Sequence, residues 1–399
     1  MRAWLPIVGA VLAAVLGVVL VLAWSQRPQN QGPISPLEPG QAVAEQAGAL
    51  AEVWLQYTAE SEAIAGPAQA AFLKAIPADT EVRLTVASGP DRLALDAFLQ
   101  TQGLVERLGK HLHILEVPGP LTPWTRDRAL AVQPRDADLA LLTPPAPQPG
   151  WEERSNDWQA TQILGKTRAM VRMVPLPLNF DGGDLLLTAD AVWFDANLLS
   201  RNSDHGFGTP QELAKALTLW TGRPAKMIGE KPGDVPGYHM AMYWMQTGPG
   251  QALVGDPRLA QTLTGAAWQP GDLGVETEAP LLADESTQTQ AQFDRVAEQL
   301  RGNGLLVTRV PVVAFEQRTY LTYTNAVVQT QDGKKTVFLP QYAGTAGKAE
   351  AVLQRLDAAG QAAWRAQGFI VVPIPVAGLW RHHGTIGCLV NVLRRRPGH

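Results

Sequence analysis

Cys388 is the single cysteine of a 399-residue chain. A lone thiol makes no internal disulfide, which leaves two roles, a buried small hydrophobe or a nucleophile. It sits in His382-His383-Gly384-Thr385-Ile386-Gly387-Cys388-Leu389-Val390-Asn391, a short apolar run after a glycine-punctuated turn. Three further stretches hold side chains able to work with a thiol. Trp124-Thr125-Arg126-Asp127 lies among Pro118, Pro120 and Pro123. Its Trp and Asp can form an aromatic wall beside an anion, which suits a planar cation; a surface Arg–Asp pair beside a packing Trp is the other reading. In Asn179-Phe180-Asp181-Gly182-Gly183-Asp184, two glycines between two carboxylates allow a sharp turn that aims both at one place. A hairpin turn has the same D-G signature. In Gly237-Tyr238-His239, the histidine enters an apolar run, where it serves as a catalyst or as a satisfied core residue. His111 and His113 share one face of a strand-like stretch, but no third ligand cluster accompanies them, so a structural role is expected and no metal is.

The elements that must position these residues read as α/β. EVRLTVAS (81–88) and HLHILEV (111–117) are strand-like, with a helix over 91–103 between them. Further on, β-rich pieces alternate with single helices about five times, with no shared repeat sequence. This pattern fits a doubly wound sheet or a closed cyclic arrangement. The stretch 42–78 is rich in Ala, Glu and Leu and reads as a helical lead-in, broken in two at Gly66-Pro67. TIGCLVNVL, which holds Cys388, reads as a strand. The net charge of -4 gives no basic field for nucleic acid.

Trp4 to Trp24 is an uninterrupted uncharged run, long enough to cross a bilayer core of ~30 Å as a helix. Residues 1–25 are expected to be a transmembrane anchor, with signal cleavage and secretion as the alternative. The apolar region of a signal peptide is usually only ~7–15 residues. Residues 26–41 form a Pro-, Gly- and Gln-rich linker, and 42–399 a single domain. An extracytoplasmic, membrane-anchored domain is the expected arrangement.

The order of the motifs is more telling than any one of them. W-x-R-D, acid-G-G-acid, G-x-H and a C-terminal G-x-x-x-Cys together resemble the pentein superfamily, which includes agmatine, arginine and bacterial peptidylarginine deiminases. ALVGDPRLA, TYTNAVV, VFLPQYAG and CLVNVLRR add to the resemblance, which spans about Glu81 to Arg396. It implies an α/β-propeller of about five ββαβ modules around a pseudo-fivefold axis, with the site in the central channel. It also implies Cys388 as nucleophile, His239 as general acid/base and Asp181 as the carboxylate that orients it. Asp127 and Trp124 would then meet the guanidinium, and Asn325 would line the site. The substrate would be a small guanidino compound or an arginine-containing peptide, and no cofactor is implied. Arg126, Arg201 and Arg318 are candidates for holding a substrate carboxylate.

Two positions depart from the pattern. The family's H-x-D ends here in Ala241, and Gly387 precedes the cysteine where the family often has His or another polar residue. Loss of a charge-assisted contact costs ~1.5–3 kcal/mol. Asp184, on the same turn as Asp181, could replace the missing carboxylate. Two readings follow: a membrane-tethered deiminase-like hydrolase working through a Cys388 thiouronium, or a degenerate pentein that binds a ligand or partner. The first expects Cys388, His239, Asp127 and Asp181 around room for a planar group. The second expects Met240, Met242 or Trp side chains in that room.

Overall fold

The computed structural model describes residues 45, 48–133, 139–147, 150, 152–168, 171–265, 282–315, 319–344 and 349–396. Among these residues the strands form five sheets. The first is ordered β17 (Asn391–Arg396), β1 (Ala49–Tyr57), β2 (Glu81–Ala87), β3 (Leu112–Val117). The second contains β4 (Leu130–Val132), β5 (Leu139–Thr143) and β6 (Val171–Pro175), and the third β7 (Leu186–Leu187), β8 (Val192–Asp195) and β9 (Ala225–Ile228). The fourth is β10 (Trp244–Gly248), β11 (Gln251–Asp256), β12 (Leu306–Phe315), β13 (Thr319–Thr322). The fifth is β14 (Val327–Gln331), β15 (Lys334–Gln341), β16 (Phe369–Pro375).

Each sheet repeats one connectivity, an antiparallel pair followed by a parallel pair. Parallel neighbours cannot be joined by a tight turn, so the chain crosses over each through helix. The crossovers are α1 (Glu62–Ala75), α4 (Glu152–Thr167), α5 (Ala196–Arg201) with α6 (Pro210–Thr221), α7 (Pro257–Thr264) with α8 (Thr287–Gly302), and α9 (Glu350–Ala366). The first sheet has a second crossover, α2 (Pro90–Thr101) and α3 (Leu104–Leu108). A cavity of about 40 Å3 touches the leading strand of every sheet, through Leu130, Leu187, Met245, Val327 and Asn391. The hairpin signal that suited Asp181-Gly182 belongs instead to Asp332-Gly333. Both residues there have φ near +50° to +70° and join β14 to β15 in a two-residue loop.

Three expectations need correction. The helical lead-in over 42–78 is a strand followed by one helix. All nine residues of β1 are buried between β17 and β2, and that pairing overrides their helix propensity. Gly66-Pro67 does not split α1, because Pro67 sits on its exposed face while Ala65, Gly66 and Ala68 hold the helix to the core. Cys388 lies on a one-turn helix, α10 (Ile386–Leu389), and only the residues after Val390 form strand.

Among the described residues no helix is long and apolar enough to cross a membrane. The run Trp4–Trp24 and the linker 26–41 lie outside them, as does Arg318. His111 and His113 both pair with Glu81, which their rings meet at 2.8 and 2.6 Å across the first sheet. Among the described residues no group of His, Cys, Asp and Glu side chains is arranged to hold a metal ion.

Candidate active site

Four separate segments bring the motif residues together. Asp127 lies on a 3-10 turn, Thr125–Arg128, and is buried. Asn391 of β17 holds this turn by donating to the Ala129 carbonyl at 2.9 Å. Asp181 caps a second 3-10 turn, Gly182–Asp184, where its amide donates to Asp184 at 2.7 Å. His239 opens a third, Met240–Met242. Cys388 is on α10, where its amide donates to the Thr385 carbonyl at 3.0 Å.

Close approach sets two of the glycines. A Cβ at Gly183 would lie 2.4 Å from the His239 ring, so only glycine lets the acidic turn pass beneath the imidazole. A Cβ at Gly387 would lie 1.8 Å from the Asn325 amide oxygen, which is why no larger residue precedes the cysteine. Asn325 in turn donates to the Cys388 sulfur at 2.9 Å and to the Met242 sulfur at 2.7 Å. Its own position is over-determined. Thr385 donates to the Asn325 carbonyl at 2.7 Å, Thr324 to the Ala241 carbonyl at 2.8 Å, and Trp364 to the Tyr323 carbonyl at 2.7 Å.

His239 is buried between two carboxylates, with Nδ1 3.9 Å from Asp127 and Nε2 3.6 Å from Asp181. Burial pushes its pKa down. The Asp127 charge, the Cys388 sulfur beside the ring and Asp184 more than offset this, so the imidazole is held above its ordinary 6.5. Tyr238 stacks on the ring at 3.9 Å and 17°. To do so it takes φ of +70°, a left-handed conformation that costs a non-glycine residue roughly 1–2 kcal/mol. Such strain persists where the surroundings fix it, and here the Tyr320 hydroxyl bonds the Gly237 carbonyl at 2.9 Å. Partly exposed Trp124 and Tyr238 and exposed His383 lie on the solvent side of the cluster, His383 edge-on to Tyr238 at 6.3 Å.

The carboxylates are not idle. Arg154 of α4 pairs with Asp127 at 2.7 Å and reaches Asp157 at 3.9 Å. Arg128 pairs with Asp181, and Arg201 with Asp184. Burial tends to raise Asp127, but Arg154, His239 and Arg128 hold its pKa below the usual range. Asp157 is pushed up to about 6 by burial, against hydrogen bonds from Thr122. Asp184, the expected replacement for the missing carboxylate, spends its contacts on Arg201 and the Asp181 amide. Ala241 is buried in one apolar cluster with Met240, Met242, Trp244 and Cys388. Of the arginines considered for a carboxylate, Arg126 pairs with Glu45 beside the cavity and Arg201 with Asp184.

Sequence reasoning missed Arg128, Arg154, Asp157 and Tyr238. Arg128 directly follows Asp127 and could have been read from W-T-R-D-R, and Tyr238 directly precedes His239. Arg154 and Asp157 sit on α4, whose sequence EERSNDWQATQILGKT has too sparse an apolar spacing to announce a helix.

No protein-family model matches the sequence, and no curated protein matches it. Solved structures do match its fold. The chain is similar to the agmatine deiminase of C. jejuni at 14% identity and a TM-score of 0.62, over 90% of this chain and 97% of that one. It is similar to an agmatine deiminase of Enterococcus faecalis at 14% identity and a TM-score of 0.55, over 89% and 95%. The chain thus shares the mixed α/β fold of these two deiminases. That fold agrees with the resemblance drawn from the motifs.

Proposed function

We propose that this chain is a hydrolase acting on a C–N bond of a guanidino group. The observation that carries the reading is the convergence of Cys388, His239, Asp127 and Asp181 from four segments far apart in sequence. In this reading the Cys388 thiolate attacks the guanidino carbon, forming a C–S bond. Protonated His239 gives its proton to the departing nitrogen, and ammonia or an amine leaves. Neutral His239 then takes a proton from water, whose oxygen attacks the thiouronium carbon. The C–S bond breaks, and the products are a ureido compound and the free thiolate. Asp181 orients the imidazole, Asp127 grips the planar cation, and Trp124 walls the entry. Asn325, donating to the sulfur, stabilises the thiolate.

The propeller arrangement is part of the same reading. It is supported by the five-fold repeat of one connectivity and by a cavity that touches the leading strand of each sheet. The run Trp4–Trp24 supports a membrane tether with an extracytoplasmic domain, or a secreted domain if that run is cleaved.

A second reading, a pentein that binds without catalysing, is favoured by one group of contacts. Met242 lies against Asn325 beside the sulfur, and the chain's own arginines hold Asp127 and Asp181. The test is release of ammonia and ureido product by the full-length chain in detergent, across small guanidino compounds and arginine peptides, beside Cys388→Ala. Release that vanishes in the variant supports the hydrolase. No release from a folded protein supports the binding reading.

A further inference from the structure

Every carboxylate of the site already holds a guanidinium that belongs to the chain. Arg154 is on Asp127 and Asp157, Arg128 on Asp181 and Arg201 on Asp184. Four carboxylates therefore face three guanidiniums and the His239 imidazole, so each carboxylate has a cationic partner before any ligand enters. A free guanidinium that is to pair with Asp181 must take the place of the one already there.

The three arginines are not equally placed to yield. Arg154 spans two carboxylates from a rigid helix. Arg201 holds a carboxylate that also caps its own turn. Arg128 holds Asp181, whose side chain is 19% exposed, against 1% for Asp127 and 7% for Asp184. Asp181 is thus the carboxylate that a ligand from solvent meets first. Arg128 is also the cation under repulsion. Burial and the neighbouring Arg154 charge lower its pKa, whereas that of Arg154 is raised on balance.

We propose that Arg128 is a specificity-determining residue, a resident guanidinium that a ligand must displace from Asp181, so that the site prefers guanidino ligands of zero net charge over cationic ones. This rests on the guanidino reading above. A ligand that brings a carboxylate with its guanidinium replaces the ion pair it breaks, because displaced Arg128 gains a new anionic partner. A ligand that brings an amine leaves Arg128 buried and unpaired and adds a second like charge.

The experiment compares two compounds of similar length, 4-guanidinobutanoate and 4-guanidinobutylamine. Binding to the full-length chain in detergent is measured by calorimetry, in a Cys388→Ala background so that neither is consumed. The expected result is at least tenfold tighter binding of the acid. In Arg128→Leu that preference should collapse and the amine should gain tenfold or more, while Arg128→Lys should keep the order. Arg128→Lys and Arg128→Gln carry the comparison if the leucine variant does not fold. Unchanged affinities on removing the Arg128 charge, equal losses for both ligands, or binding of neither would overturn the inference. Ammonia release by the unmodified chain is scored separately. A working hydrolase indifferent to Arg128 sinks this inference alone, and a silent chain whose ligand preference follows Arg128 sinks the hydrolase alone.

Discussion

Asp127 touches both the imidazole and a guanidinium, and its charge is the largest influence raising His239 against the pull of burial. The ring therefore keeps its proton past the ordinary 6.5, which suits the proton donor proposed above. In histidine-selective NMR, the His239 midpoint should lie above 6.5 and drop in Asp127→Asn. An unmoved midpoint would discard Asp127 as the cause. Gly387 is the second residue whose identity is fixed by a neighbour. Gly387→Ala must push the Asn325 amide off the sulfur, with a cost of about 1–3 kcal/mol typical of overpacking. Urea unfolding should show that loss together with reduced turnover. Unchanged stability and turnover would mean that Asn325 moves freely. These residues were visible in the sequence as types, but their pairings were not. Nothing in a linear order of W-x-R-D and D-G-G-D says that Arg128 lies on Asp181, or that Arg154 reaches back to Asp127.

At the level of elements, the site depends on the loop between β13 and β14, and that loop hangs on α9. Trp364 of α9 is fully buried, packs edge-on to Phe369 at 4.8 Å and bonds the Tyr323 carbonyl. Asp357 of the same helix accepts from the Tyr323 hydroxyl at 2.7 Å and from the Ala343 amide at 2.9 Å. Trp364→Ala should cost about 3–5 kcal/mol and release Asn325, so a stability loss with no change in residual activity would contradict the coupling. The alternation of β-rich pieces with helices was legible, and the structure adds the caps that start two of the helices. Thr209-Pro210 opens α6 as a capping box, and Ser286 caps α8. The strand β1 was not, because ALAEVWLQY carries helix formers and only its two partners, distant in sequence, make it extended. The one-turn α10 was hidden by the opposite confusion, since four apolar residues fit strand or helix equally.

Across the whole molecule, one buried charge ties the first sheet to the connection between α4 and β6. Glu52 of β1 lies 2.5 Å from Arg83, 2.7 Å from Arg168 and 3.6 Å from Arg394. Burial would raise its pKa, but Arg168 and Arg83 overcome that and hold it below the ordinary 4.5. Its contribution is therefore present above about 4.5 and lost as pH falls through the lower folded value. Glu52→Gln should cost about 3–5 kcal/mol at neutral pH by removing the buried anion of the pair with Arg168. It should also flatten the acid limb of the unfolding curve. A parallel downward shift at every pH would show that Glu52 does not titrate as described.

The fold joins distant ends of the described chain. Arg395 of β17 bonds the Gly48 carbonyl across 347 positions, and β1 lies between β17 and β2. On a ribosome, β1 emerges early and then waits, with one edge unpaired, for nearly the entire remainder to be synthesised. The residues that end the wait are those just after Cys388, so the strand that seals the first sheet and the thiol of the site arrive together. A chain stalled or clipped before Ile386 thus presents an open apolar edge at β1 and lacks Cys388 at the same time.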